Sequence, residues 1–185
     1  MEKNLLILGA GEFGEVVKEI AEDMGGYSKI EFLDDLAICA LGKLDEYAQF
    51  AGEFSDAIVA IDDPFIRMKY TEKIHESGYY VPILIHPTAF VSRSAKVGMG
   101  TVIEPMAVVN TLSKVGVACI LAPGATVNHH ATVCDAVHLG ANSTVLSNTM
   151  VPAGTKAIGG QVYSAETNLR NTNAWMPNYS FDDGV

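Results

Sequence analysis

Val91, Val97, Ile103, Val109, Val115, Leu121, Val127, Val133, Leu139, Val145 and Val151 stand six residues apart, without a slip from first to last. Two positions before each stands a mostly small residue: Ala89, Ala95, Thr101, Ala107, Ser113, Cys119, Ala125, Ala131, Val137, Ser143 and Thr149. A helix repeats about every 3.6 residues and a lone strand about every 2, so a period of six fits neither. It is the period of a parallel β-helix of hexapeptides, each a short strand and a turn. The aliphatic residue points inward and the small one fits the tight corner. One such unit cannot bury its apolar side alone, so successive coils of about 18 residues must stack. The period is clean up to Val151 and is lost beyond it. This predicts a β-helix over 86–160 and an irregular tail over 161–185.

Upstream of the ladder, residues 1–85 alternate strand and helix. Residues 3–8 read as a buried strand. The turn Gly9-Ala10-Gly11-Glu12-Phe13-Gly14 follows, and leads into a helical pattern at Val16, Val17, Ile20, Ala21 and Met24. A second strand, Ile30-Glu31-Phe32-Leu33, ends in Asp34-Asp35. Leu44 to Gly52 reads as a short helix and Ala57 to Ile61 as a third strand. Pro64 starts a helix through about Ser77, since proline suits the first helical turn. Tyr79 to Ile85 reads as a returning strand, and His86-Pro87 as the hinge into the ladder. The N-terminal part is therefore a small parallel α/β sheet of Rossmann-like type.

The chain has 185 residues and a formal net charge of -10. That balance argues against nucleic acid and against anionic membrane surfaces, both of which attract basic patches. The apolar run at the N-terminus is too short for a signal peptide or a spanning helix, and no later run reaches spanning length. Cys39, Cys119 and Cys134 show no paired spacing, which suggests reduced thiols and a cytoplasmic protein.

The glycine loop, Gly9, Gly11 and Gly14, is placed between a strand and a helix, where backbone N–H groups can meet a phosphate. Asp34 or Asp35 then falls near a ribose or base. The plainer reading is a strand–turn–helix of any α/β domain, and Glu12 and Glu15 flank the loop with charge that repels a pyrophosphate. Asp62, Asp63 and Arg67 follow the third strand at the same sheet edge, where Arg67 could bind an anion or pair with a carboxylate. Of five histidines, His75 reads as surface and His86 as part of the domain joint. His129, His130 and His138 cluster within the ladder. A neutral imidazole near pH 7 can take a proton from a hydroxyl or amine, the general-base role; metal binding is the rival reading. His129 and His138 are nine residues apart, half a coil, so they lie on different sides of one prism. They can share a site only between two β-helices packed side by side.

The stretches Leu5 to Gly11, Phe32 to Asp35, Ala60 to Asp63 with Arg67, Ile85 to Ala89, and the whole ladder resemble the hexapeptide-repeat acyltransferases of the sialic acid and bacterial amino-sugar acetyltransferase type. The most specific part is Gly124-Ala125-Thr126-Val127-Asn128-His129, with His138 nine residues later. The resemblance implies a Rossmann-like sugar-nucleotide domain followed by a left-handed β-helix, assembled as a homotrimer with active sites between adjacent β-helices. It implies acetyl-coenzyme A as co-substrate, a sugar or nucleotide sugar as acceptor, and no metal. His129 would be the general base. His138, Asn128, His130 and Ser147 would bind acyl donor or substrate, and Gly9, Gly11, Gly14, Asp34, Asp35 and Arg67 the nucleotide sugar. The chain departs from the family pattern at several places. His130 stands where the family has an acidic residue, and Glu12-Phe13 and Glu15 replace its Gly-His and following basic residue. Ala141-Asn142-Ser143 and Leu146-Ser147-Asn148 replace its small-residue turns, and Gln161 to Ser164 does not match its ending.

The expected function is an acetyl-coenzyme A dependent O- or N-acetyltransferase. The alternative is a trimeric binding or scaffold relative that has lost acetyl-coenzyme A or nucleotide-sugar binding. A nucleotide-dependent oxidoreductase ranks last, because about 80 residues are too few for a full dinucleotide domain with its chemistry.

Overall fold

The computed structural model describes residues 3–164. Strand β1 (Lys3–Leu8), helix α1 (Glu12–Met24), strand β2 (Tyr27–Leu33), a 3-10 segment (Leu44–Phe50), strand β3 (Asp56–Val59) and helix α2 (Pro64–Glu76) follow in order. The strands form a parallel sheet in the order β2-β1-β3. β1 is central, and Leu5, Leu6, Ile7 and Leu8 are all fully buried, as a parallel strand covered on both faces must be. Asp63 caps α2, its carboxylate accepting from the N–H groups of Phe65 and Ile66 at 2.9 Å each, with Pro64 in the first turn.

The β-helix has three faces. One stacks Leu84–Ile85, Val102–Ile103, Ile120–Leu121 and His138–Leu139. The second stacks Phe90–Val91, Val108–Val109, Thr126–Val127, Thr144–Val145 and Val162–Tyr163. The third stacks Lys96–Val97, Lys114–Val115, Thr132–Val133 and Met150–Val151. Every pairing is parallel and joins residues 18 apart, as Thr126 with Val108 and with Thr144. The inward aliphatic residues from Ile103 to Val151 are at most 2% exposed and form one continuous core. The coil is left-handed, an exception to the usual right-handed crossover.

From Gly100 onward each described corner contains one residue of left-handed backbone. Gly100, Met106, Leu112, Ala118, Gly124, His130, Ala136, Asn142, Asn148, Gly154 and Gly160 all have φ between 53° and 70° or close above. These too are six apart. Three corner columns result: Gly100, Ala118, Ala136 and Gly154; Met106, Gly124, Asn142 and Gly160; and Leu112, His130 and Asn148.

Two expectations change. The chain from Tyr79 to Ile85 is not one strand of the N-terminal sheet. Tyr80 makes an isolated parallel bridge to Asp56, while Leu84–Ile85 pairs with Val102–Ile103 and opens the β-helix. The period also continues past Val151. Ala157 and Tyr163 take the inward positions at 4% and 3% exposure, and strand pairing runs to Tyr163, inside the stretch read as irregular. The polar run 167–173 and the apolar cluster 175–177 lie outside the described residues.

The N-terminal domain sits on the first face. The outward residues there are Leu84, Val102 and Ile120, all buried, and Leu84 and Val102 join the core of Val17, Ile20 and Ile58. Each such side chain contributes roughly 1.5–3 kcal/mol. Down the same column the residues turn polar, to His138 and Lys156, where that cover ends.

Candidate active site and its relatives

The expected site residues other than Arg67 fall into three groups. The first lies at the corner between the second and third faces. His129 and His130 are exposed there, and Ser147 lies one coil on. The ring nitrogen Nε2 of His129 is 2.9 Å from Ser147 Oγ, and its Nδ1 is 3.2 Å from His130 Nδ1. The two rings stand edge to face at 89°, with centroids 5.4 Å apart. His130 has φ +58°, and its N–H donates to the Thr111 carbonyl at 3.0 Å. Asn128 donates its N–H to the Val145 carbonyl at 2.9 Å, which fixes the strand end that carries His129. Both nitrogens of His129 are therefore held, on a scaffold locked by strand pairing on either side.

The second group lies on the first face. His138 Nδ1 is 3.3 Å from Asp62 Oδ1, and Lys156 Nζ bonds Asp62 Oδ2. Burial pulls the His138 pKa below the ordinary histidine value, and the nearby Asp62 carboxylate opposes that. The hydrogen bond from Lys156 holds Asp62 below the usual carboxylate range. The arrangement favours a neutral His138 whose Nδ1–H donates to Asp62, leaving Nε2 as an acceptor. Asp62 sits just past β3, at the carboxyl edge of the sheet, where ligands bind in open α/β folds. Lys156 went unnoticed in the sequence, though it is 18 residues beyond His138 and thus in the same column.

The third group is the glycine loop. A Cβ at Gly9 would lie 2.6 Å from the Ala60 carbonyl oxygen, with φ at +113°, and one at Gly14 would lie 2.2 Å from the Gly9 oxygen. Both glycines are required by close backbone approach. Gly11 is open, and caps α1 without a side-chain hydrogen bond. Asp34 Oδ2 accepts from the Ala10 N–H at 2.9 Å, and Oδ1 from the N–H groups of Leu36 and Ala37. These bonds, that of Ala10 foremost, hold Asp34 below the usual carboxylate range. Asp35 accepts from the Leu44 N–H at 3.1 Å. Glu12 and Glu15 occupy the first helical turn and already offset its partial positive charge.

Arg67 belongs to none of these groups. It is 1% exposed. Its Nε donates to the Ala118 carbonyl at 2.8 Å, and Nη2 to that of Ala136 at 2.9 Å. Nη1 donates to the carbonyls of Ile61 and Asp62. The side chain ties α2 to two successive corners of the β-helix, and its donors face backbone oxygen rather than an open anion site.

His129 and His138 lie on different faces of one chain, the first at the far corner and the second on the face that carries the N-terminal domain.

Residues 4–74 match the family model described as the PglD N-terminal domain. The acetyltransferase domain of PglB from Neisseria gonorrhoeae FA1090 shares 30% identity, over 88% of this chain and 91% of that one, with a TM-score of 0.78. A structure of the same domain in complex with acetyl coenzyme A matches at 30% identity, 88% and 93% coverage and a TM-score of 0.76. A mutant of GDP-perosamine N-acetyl transferase from Caulobacter crescentus, in complex with CoA and GDP-perosamine, shares the fold at 23% identity, 89% and 90% coverage and a TM-score of 0.75. A glycine-loop α/β domain of the PglD type, locked onto a left-handed hexapeptide β-helix that carries the His129 corner, makes the chain a member of the hexapeptide-repeat acyltransferases of the bacterial amino-sugar acetyltransferase type.

Proposed function

We propose that this acetyltransferase moves an acetyl group from acetyl-coenzyme A to a nucleotide-linked sugar, with an amino group as the favoured acceptor and His129 as general base. The observation that carries the reading is the double tether of His129. An imidazole held at both nitrogens on a rigid corner is oriented before any substrate arrives, which suits proton transfer from an attacking nucleophile. The PglB domain bound to acetyl coenzyme A supports the donor, and the complex with GDP-perosamine supports the acceptor class.

The acceptor lies at the carboxyl edge of the N-terminal sheet, bounded by the glycine loop, Asp34 and the Asp62–His138–Lys156 cluster. The far position of His129 in one chain makes a homotrimer part of the proposal, with a neighbouring copy bringing its His129 corner to this edge. Phe90 and Val162, each more than half exposed at opposite ends of the second face, supply apolar contacts for that packing. Use of acetyl-coenzyme A and three free cysteines fit a cytoplasmic enzyme.

Calorimetric titration with acetyl-coenzyme A tests the donor: heat of binding is expected, and its absence at millimolar coenzyme would sink the transferase reading. Mass in solution tests the assembly, and a monomer there would defeat a site shared between copies.

A further inference from the structure

We propose that the open C-terminal end of the β-helix is the docking surface for the chain's own residues 165–185, which lie over it as a closing coil with Leu169, Trp175 and Phe181 as the next inward side chains. The two ends of the stack differ. At the N-terminal end the inward residues Ile85, Val91 and Val97 are only partly buried, as an uncovered end requires. At the C-terminal end Val151, Ala157 and Tyr163 are 0%, 4% and 3% exposed, as deeply buried as the middle of the core. Burial also raises the Tyr163 phenol above its ordinary pKa. Among the described residues no strand lies beyond Met150–Val151 on the third face or Val162–Tyr163 on the second. A stacked repeat buries its apolar side only against its neighbour, so the last coil needs a cap.

The segment that follows fits that place. The described chain leaves the second face at Ser164, at the corner that leads to the third, just where the cover must begin. Leu169, Trp175 and Phe181 continue the six-residue spacing from Tyr163. Strand pairing in the stack joins residues 18 apart. By that rule Leu169 falls over Val151, Trp175 over Ala157 and Phe181 over Tyr163. The largest side chain of the segment thus meets the smallest inward residue of the last coil, and a packed core alternates volumes in that way. The outward places of the same hexapeptides are Asn168, Ala174 and Ser180, all polar or small. Main-chain bonding extends by the same rule. Lys114 donates its N–H to the Ala131 carbonyl and Thr132 to that of Thr149, so the next pair in the column is Met150 and Thr167. Such pairing closes the last sheet edges, and copies of the chain then meet side by side rather than end to end.

Trp175 is the one tryptophan of the chain, so its fluorescence in the full-length protein tests the cap directly. Its emission is expected to be blue-shifted, shielded from acrylamide, and to move to the red on unfolding. Emission of a solvated indole, freely quenched in the folded protein, overturns the proposal. The register is read from melting temperatures. Leu169→Asp and Phe181→Asp should each lower the melting temperature by several degrees, while Asn168→Asp and Ser180→Asp, one residue earlier, should leave it nearly unchanged. Equal effects at the two kinds of position overturn the coil. A cross-link identifies the occupant. Met150 and Asn168 would face each other on neighbouring strands about 4.8 Å apart, within the roughly 4.4–6.8 Å that a disulfide spans. Met150→Cys with Asn168→Cys, in a Cys39→Ser background, should form a disulfide within one chain on oxidation. A disulfide between two chains, or none, overturns the placement of this segment on its own β-helix.

Discussion

Two corner columns of the β-helix share one backbone geometry and serve opposite ends. Gly100, Ala118, Ala136 and Gly154 carry little or no side chain, so α2 can approach. Arg67 reaches the carbonyls of Ala118 and Ala136, and a Cβ at Gly100 would already press on Thr71 and Val81 at 3.2 and 3.3 Å. Leu112, His130 and Asn148 repeat the same left-handed turn with larger side chains, and all three are exposed. At the first column the main chain is the ligand and the partner domain supplies the cation. At the second the side chains stay exposed, and His130 there stands beside the proposed base His129. The backbone turn is common to both, and side-chain size decides which becomes a joint and which stays an exposed edge.

The sharpest break in this contrast is His129→Ala. It should lower kcat/KM by about 10²- to 10⁴-fold, the usual worth of a general base, with the melting temperature little changed. Arg67→Ala should do the reverse. It leaves buried carbonyls without their charged donor and should cost roughly 3–5 kcal/mol of stability, read by denaturant unfolding.

Glu104 sharpens the comparison from a third position. It is 8% exposed, and burial raises its pKa to about 7. Its folded pKa lies above the unfolded one, so the folded state prefers the protonated form. Stability from this group is fullest below about pH 4.5, falls as pH rises toward 7, and is flat beyond. Glu104→Gln should therefore raise stability at pH 8 by about 1–2 kcal/mol and leave it unchanged at pH 4, measured by thermal melts at the two pH values. The smallest expected effect is at His138. Asp62→Asn removes the carboxylate that opposes burial, so the His138 pKa should fall further in an NMR titration.

Much of this molecule can be read from its residues, because a β-helix writes its contacts as arithmetic. The six-residue period predicted the inward core, and the half-coil offset placed His129 and His138 on separate faces. The ladder appeared to stop at Val151 only because Ala157 is short and Tyr163 aromatic; both fill the inward place all the same. The corner columns were harder to see. Gly100, Gly124, Gly154 and Gly160, and more weakly Asn142 and Asn148, advertise a left-handed turn, while Met106, Leu112 and Ala118 adopt it because strand pairing on either side demands it. The role of Arg67 was not legible. A basic residue one turn into a helix looks the same whether it faces an anion or the carbonyls of a docked domain. Nor could the sequence show that Asp34 would turn back onto the Ala10 N–H, since that bond depends on how the loop folds over the strand end.

The stacked coils also set a fixed pitch. Neighbouring parallel strands lie about 4.8 Å apart, a spacing that main-chain hydrogen bonding holds against drift. His129 and Ser147 sit on adjacent turns of that thread, so their separation is a property of the thread and not of a closing loop. Transplanting the pair one full turn along the screw, to the positions of Thr111 and His129, would keep its internal geometry while moving it relative to the N-terminal domain. The β-helix thus acts as a graduated rod, on which pairs of side chains can be shifted in whole divisions without being redesigned.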